Sequence, residues 1–564
     1  MKNHIPVSLL ILFAAACGTP DIRNAGYDFL KNDKTIHPDS LQSTLSLACE
    51  TWQRCPWKDS YKDRYFLEYV LPPRIASEPV EYYWREDIPD KLAIERSDSD
   101  RMLTVAAKIN RKITINTDPS AWKNPTMGYS ATISGRFGKC DDRAILAAMA
   151  MRSMGIPAAF EFVPNWGSNN NGHSFCSVIL PDDSVAVFQD VNDNGDNALL
   201  SQKAPKIYRR MYSLQMNTPL YKYRKTEELP SLFQDFRIMD VTACHRIGKQ
   251  QVGIAVPETI GNKITYLSVF HPHGWIPVAY TENRGKNTLF ENVGDGSNMN
   301  GFESAKGENI GNGIVYLPSV YTDKGVIPCG RPVIVSDEGQ RLLAASEEQE
   351  TVRLTRKYPR LIRVIRFADS MVDGIFECAN RPDFSDAVPV FQIADTPLSR
   401  MQSVELQTKK AYRYLRYRKP RGLFSIGELQ AKDSSGRNLS GETIAPEILM
   451  SEASLPNVFD GDPLTYFELP GGLDLWVGLD FGKPVPISRI GFCPRNDDNE
   501  ISPGDEYELF YWKDRWISLG RQTASDCTLE YTNVPKGALL WLRDLTRGRE
   551  ERPFTYENGI QIWW

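Results

Sequence analysis

Residues 138–157 constrain this chain more than any other stretch. Ala144, Leu146, Ala147, Ala150 and Met151 recur at helical spacing and leave few polar sides, which predicts a buried helix. Gly155 is the natural stop, and Pro157 forbids continuation. Cys140 then falls in the first turn, where the positive end of the helix dipole favours the nucleophilic thiolate. Asp141 and Asp142 also suit a helix N-terminus, but their charge opposes a thiolate.

A strand with a histidine at its head follows. Residues 174–180 read as a strand, Pro181 to Ser184 as a turn, and Val185 to Gln189 as the returning strand. With a symmetric turn, His173 lies opposite Asn192 and Asp190 is its diagonal neighbour on the same face. Such neighbours are roughly 7–8 Å apart. Cys140, His173 and Asp190 are therefore expected to converge as nucleophile, base and orienting group.

Together, a Gly-x-Cys helix start, a Gly-Ile-Pro close, His173 with Phe175 two places on, and Asp190 one hairpin later resemble the transglutaminase-like core. The resemblance covers residues 138–190 and implies the papain-like α+β fold of thiol enzymes that act on amides. Two positions depart from it. The family often has Trp or Gly where this chain has Asp141, and Trp where it has Phe175. Acyl transfer also needs a second oxyanion donor beside the cysteine's own N–H. Trp122, Asn124 and Tyr129 are the upstream candidates, and Trp166, in the polar loop before His173, reads equally as a platform for a sugar or peptide side chain and as a cap on the core.

At 564 residues the chain is too long for one core. A net charge of −5 offers no basic field for nucleic acid. Residues 7–16 form an apolar run of signal-peptide length, and Cys17-Gly18 after it resembles a bacterial lipoprotein cleavage site. That resemblance implies lipidation at Cys17, a membrane attachment by the lipid alone, and a place in the bacterial cell envelope at the outer membrane. Nine further cysteines remain after Cys17, of which Cys49 and Cys55 are near enough to pair.

From about residue 236 the pattern becomes short alternating strands separated by Gly and Pro turns. The expected order is a signal peptide at 1–17, a transglutaminase-like domain at 18–235, a β-sandwich at 236–350, and discoidin-like β domains at 351–437 and 438–564. His271 and His273 read as a hairpin edge, and alternating residues 412–417 as a strand with one buried face. The run from Asn457 to Glu468 resembles the Asp-Gly turn of discoidin-like, galactose-binding-type modules. The resemblance implies a structural calcium at Asp460, Asp462 and Thr465, balanced against a tight turn with no ion. It also implies glycan stacking by Trp512, Trp516, Trp563 or Trp564. No cofactor is expected for catalysis.

The expected function is a cysteine-dependent amide hydrolase or acyltransferase acting on peptide, glutamine or glycopeptide amides, with hydrolysis favoured because no amine site is legible. The alternative is a surface lipoprotein with an inactive thiol site that binds glycan or protein, within a polysaccharide-uptake system.

Overall fold

Eight segments of the chain are described by a computed structural model: residues 38–95, 100–117, 125–188, 202–248, 250–299, 307–407, 410–548 and 550–564. Leu41, Leu45, Ala48 and Trp52 recur on one face of helix α1 (Pro38–Gln53) and are all buried. Helices α2 (Asp63–Tyr69), α3 (Trp84–Lys91), α4 (Met102–Lys112) and α5 (Tyr129–Gly135) follow. Helix α6 (Cys140–Ser153) is central, with α1, α3, α4 and α5 packed around it. Residues 142–153 are buried without a break, as an all-round apolar helix demands. Gly155 ends it at φ +70°, and the Ile156 N–H returns to Met151 O at 3.0 Å. A Cβ on Gly155 would sit 2.3 Å from the Cys55 sulfur, so this position tolerates only glycine.

One face of α6 is covered by an antiparallel sheet of β1 (Ala158–Val163), β2 (His173–Ile179), β3 (Val185–Phe188), β4 (Tyr208–Arg210) and β5 (Ile238–Asp240), in the order β3-β2-β1-β4-β5. The β2–β3 turn is not symmetric. Asp183 adopts φ +66°, and Asp182 Oδ1 accepts both the N–H and the hydroxyl of Ser184. This pairs Ile179 with Val185 and Cys176 with Phe188, one residue off the expected register.

A second unit contains a six-stranded sheet over residues 264–342 and a two-stranded pair, Gln250–Ile254 with Thr288–Val293. Val252, Leu267, Val278, Phe290 and Tyr316 fill the space between them. The His271–His273 segment is a turn, with the His273 N–H on His271 Nδ1.

The expected boundary at 437/438 cuts through a single sandwich. Strand Ala411–Ile426 pairs along its length with Phe467–Pro486, in a five-stranded sheet facing a three-stranded one. The two sheets enclose one core of Phe376, Tyr417, Ile426, Val477 and Phe492. Strand Gln349–Leu354 leaves that unit altogether and pairs with Leu529–Pro535 of the last one. Local periodicity finds strands but not their distant partners, and the partners decide where a domain ends. Both faces of residues 412–417 are covered: Tyr412, Leu415 and Tyr417 enter the sandwich core, while Tyr414 packs on Phe384 on the side where Arg416 pairs with Glu377, and Arg413 pairs with Asp480.

The C-terminal tryptophans are core residues rather than stacking platforms. Trp512 and Trp564 join Phe270, Trp275 and Trp541 in a cluster between the second and last units, Trp516 packs against it, and Trp563 is buried in the last unit's own core. Cys49 and Cys55 do not pair. Cys49 is disulfide-bonded, whereas Cys55 is a buried reduced thiol donating to Thr51 O at 3.2 Å. No helix among the described residues is long and apolar enough to cross a membrane.

Candidate active site around Cys140

Cys140 is the first residue of α6 and is half-buried. Asp142 anchors this end by accepting the N–H groups of Lys139 (3.0 Å) and Met127 (2.8 Å). It is a buried structural cap. Asp141 instead lies beside the sulfur, with its Oδ1 3.9 Å from Sγ. The carboxylate is held there by the Ser174 hydroxyl at 2.6 Å and by Lys139 Nζ at 3.7 Å.

Residues alternate across β2 and separate the two chemistries. Ser174, Cys176 and Val178 face α6, with Cys176 Sγ 4.0 Å from Met151 Sδ. Phe175 lies in a different core cluster with Val163 and Trp166. The His173 imidazole is half-buried and sits between the rings of Trp166 and Phe175, with centroids at 6.1 and 6.2 Å and planes 23° and 28° from parallel. The helix start and the strand start meet through Asp141, whose Oδ1 lies 3.9 Å from the Cys140 sulfur and accepts the hydroxyl of Ser174, the residue after His173, at 2.6 Å, and the nearby Ser174 N–H favours the thiolate. The N–H groups of Cys140 and Asp141 also favour the thiolate, but burial and then the Asp141 charge outweigh them and push the thiol up to about 11.

The other expected site residues fall in different places. Asp190, Trp122, Asn124 and Cys17 lie outside the described residues. Trp166 is 3% exposed and backs His173, so its ring is not a free platform for substrate. The Tyr129 hydroxyl donates to Asp87 Oδ2 at 2.7 Å, and Lys91 lies over its ring, which commits this side chain to tying α5 to α3.

Glu161, Arg209 and His245 were not singled out in the sequence, yet they form a buried network behind His173. Glu161 Oε1 accepts Arg209 Nε at 2.7 Å, and its Oε2 contacts His245 Nε2 at 2.7 Å and the Ser177 hydroxyl at 2.5 Å. His245 meets the Phe175 ring edge-on at 5.7 Å. A charged residue inside an otherwise apolar strand, Glu161 among Ala158–Val163, was the available signal.

In the third unit, the expected calcium ligands close their own turn. Asp460 accepts the Asp462 N–H (2.9 Å) and the Thr465 hydroxyl (2.9 Å), and Asp462 accepts the Leu464 N–H (2.9 Å). No group of three or more His, Cys, Asp or Glu suited to a metal occurs among the described residues. Glu428 lies beneath this turn and accepts the Gly461 N–H; burial, with Asp460 and Asp462 adding to it, raises its carboxyl to about 7. A folded value above the unfolded 4.5 means the stabilising contribution is complete below about pH 4.5 and is lost as pH rises through 7. Glu428→Gln is therefore expected to stabilise the protein at pH 8 by up to about 3 kcal/mol and to change little at pH 4, as read by urea unfolding. Calcium bound at the turn would favour the carboxylate and erase the difference at pH 8. A difference unchanged by calcium would leave a turn held by hydrogen bonds alone.

Residues 87–189 match the family described as the transglutaminase-like superfamily; the match includes Cys140 and His173 and ends one residue before Asp190. No curated protein matches the chain. Among solved structures, it is similar to a protein titled a "Putative Cysteine Protease" from Cytophaga hutchinsonii, at 18% identity and TM-score 0.15 over 19% of this chain and 35% of that one. The chain thus spans about a third of that protein's length. It is also similar to red sea bream transglutaminase, at 9% identity and TM-score 0.20 over 87% of this chain and 78% of that one. With Cys140 opening its central helix and His173 opening the adjoining strand, the segment 87–189 is a transglutaminase-like domain, followed in this chain by β-rich units.

Proposed function

We propose that this protein is a cysteine-dependent amide hydrolase or acyltransferase in which Cys140 attacks the carbonyl carbon of a peptide, glutamine or glycopeptide amide. The observation that carries the reading is the junction itself, a helix-terminal thiol beside a carboxylate that is bonded to Ser174, the residue next to an aromatically clamped histidine. His173 takes the thiol proton as the C–S bond forms, and then gives it to the leaving amine. Asp190 is proposed as the group that holds the imidazole tautomer on the family resemblance alone, because the one-residue shift of the hairpin removes the symmetric register that put it on the face of His173. The Cys140 N–H, at a helix start, faces the developing oxyanion. Water then attacks the thioester, His173 takes its proton, and the acid leaves with the free thiol restored.

Burial and the Asp141 charge hold the thiol above its ordinary range, so His173 must take the Cys140 proton as the sulfur attacks. Export with a lipid on Cys17, an outer-membrane location, and β units that bind glycan or protein complete the proposal. The raised thiol and the Asp141 carboxylate beside it also favour a second reading, a binding lipoprotein whose thiol site is inactive.

Alkylation of Cys140 by iodoacetamide at pH 7 separates the two readings, measured by mass spectrometry in the wild type and in His173→Ala. Catalysis predicts that labelling slows about tenfold or more in the variant, since the paired base takes the thiol proton as the sulfur attacks. Equal rates would sink the enzyme reading and leave the binding one.

A further inference from the structure

The loop over residues 164–172 leads directly into His173, and its backbone is claimed by the far end of the chain. Arg552 is 1% exposed and belongs to the last β unit. Its Nη2 donates to Gly167 O and to Trp564 O, the latter at 2.9 Å. Its Nη1 reaches Asn169 O at 3.2 Å, Asn170 Oδ1 at 3.2 Å and Phe270 O at 3.3 Å. Nε adds a second bond to Trp564 O at 3.1 Å. One guanidinium thus ties the loop to the second and last units at once.

Other groups seat the same loop. The Gly167 N–H donates to Lys203 O at 2.7 Å, while Lys203 Nζ donates to Gly311 O and Gly313 O of the second unit. A Cβ on Gly167 would come within 2.7 Å of the Ile314 side chain, so the approach is close. Trp166, whose ring stacks on His173, is carried by this seated segment.

We propose that Arg552 is a positioning residue for the thiol site: through residues 164–172 it fixes Trp166, and through Trp166 the orientation of His173. The β units then complete the active site instead of serving only as binders. This inference rests on the Cys140–His173 reading above.

The test uses the full chain with Arg552→Gln and Arg552→Lys, and with Arg356→Gln as a control. Arg356 is also a buried arginine of the C-terminal region, bonded to Asp497 at 2.6 Å and Tyr358 O at 3.0 Å, and it makes no contact with the loop. In Arg552→Gln, amide exchange over residues 164–173 is expected to accelerate about tenfold or more relative to the control. The His173-dependent part of Cys140 alkylation should fall about fivefold in Arg552→Gln, remain near wild type in Arg356→Gln, and be partly kept in Arg552→Lys. Equal effects of Arg552→Gln and Arg356→Gln on both readouts would overturn the inference, since lost stability alone would explain them. If His173→Ala leaves wild-type alkylation unchanged, the Cys140–His173 reading itself falls, and the inference with it.

Discussion

Glu161→Ala is expected to destabilise the first unit by about 3–5 kcal/mol, because it leaves the Arg209 guanidinium buried without its carboxylate. Burial alone would raise the Glu161 carboxyl, but Arg209 and then His245 outweigh it and bring it down to about 2. A folded value below the unfolded 4.5 gives the sign. The contribution is present above about pH 4.5 and is lost as pH falls through 2. Urea unfolding of the wild type and variant should therefore show the full difference at pH 7 and a shrinking one below pH 4. Glu161→Gln should lose less, since its amide oxygen still accepts from Arg209. A pH-independent gap would mean that lost packing, not charge, sets the cost.

Asp141→Asn is expected to speed iodoacetamide labelling of Cys140 at pH 8 by about threefold to tenfold. Removing the carboxylate removes the second cause of the raised thiol, and each unit of lowered pKa gives tenfold more thiolate, offset in part by its weaker nucleophilicity. The asparagine oxygen can still accept the Ser174 hydroxyl, so β2 stays in place. The alkylation pH profile should shift down from its wild-type midpoint. A midpoint that stays put would show that burial alone holds the thiol neutral. In the enzyme reading, Asp141 keeps the nucleophile quiescent until substrate arrives; in the binding reading, it marks a site released from catalysis.

The central helix was legible in the sequence because its signals are local: an apolar run, a glycine stop and a proline after it. His173 at the head of a strand was equally legible, and so was the β-rich remainder. The hairpin register was not. A left-handed Asp183 and the Asp182–Ser184 bonds shift it by one residue, and such turn geometry depends on a single φ.

The sequence by itself determined which elements form and which residues carry chemistry, since periodicity and caps act within a few residues of one another. Only the tertiary structure decided what surrounds them. It buried Trp166 against His173, bound Tyr129 to Asp87, joined strands 411–426 and 467–486 into one sandwich, and brought Arg552 to the loop before His173. Apart from the Trp166–His173 stack, those contacts join residues tens to hundreds of positions apart. Their partners are chosen by burial and by the need to satisfy buried polar groups, which no local pattern encodes.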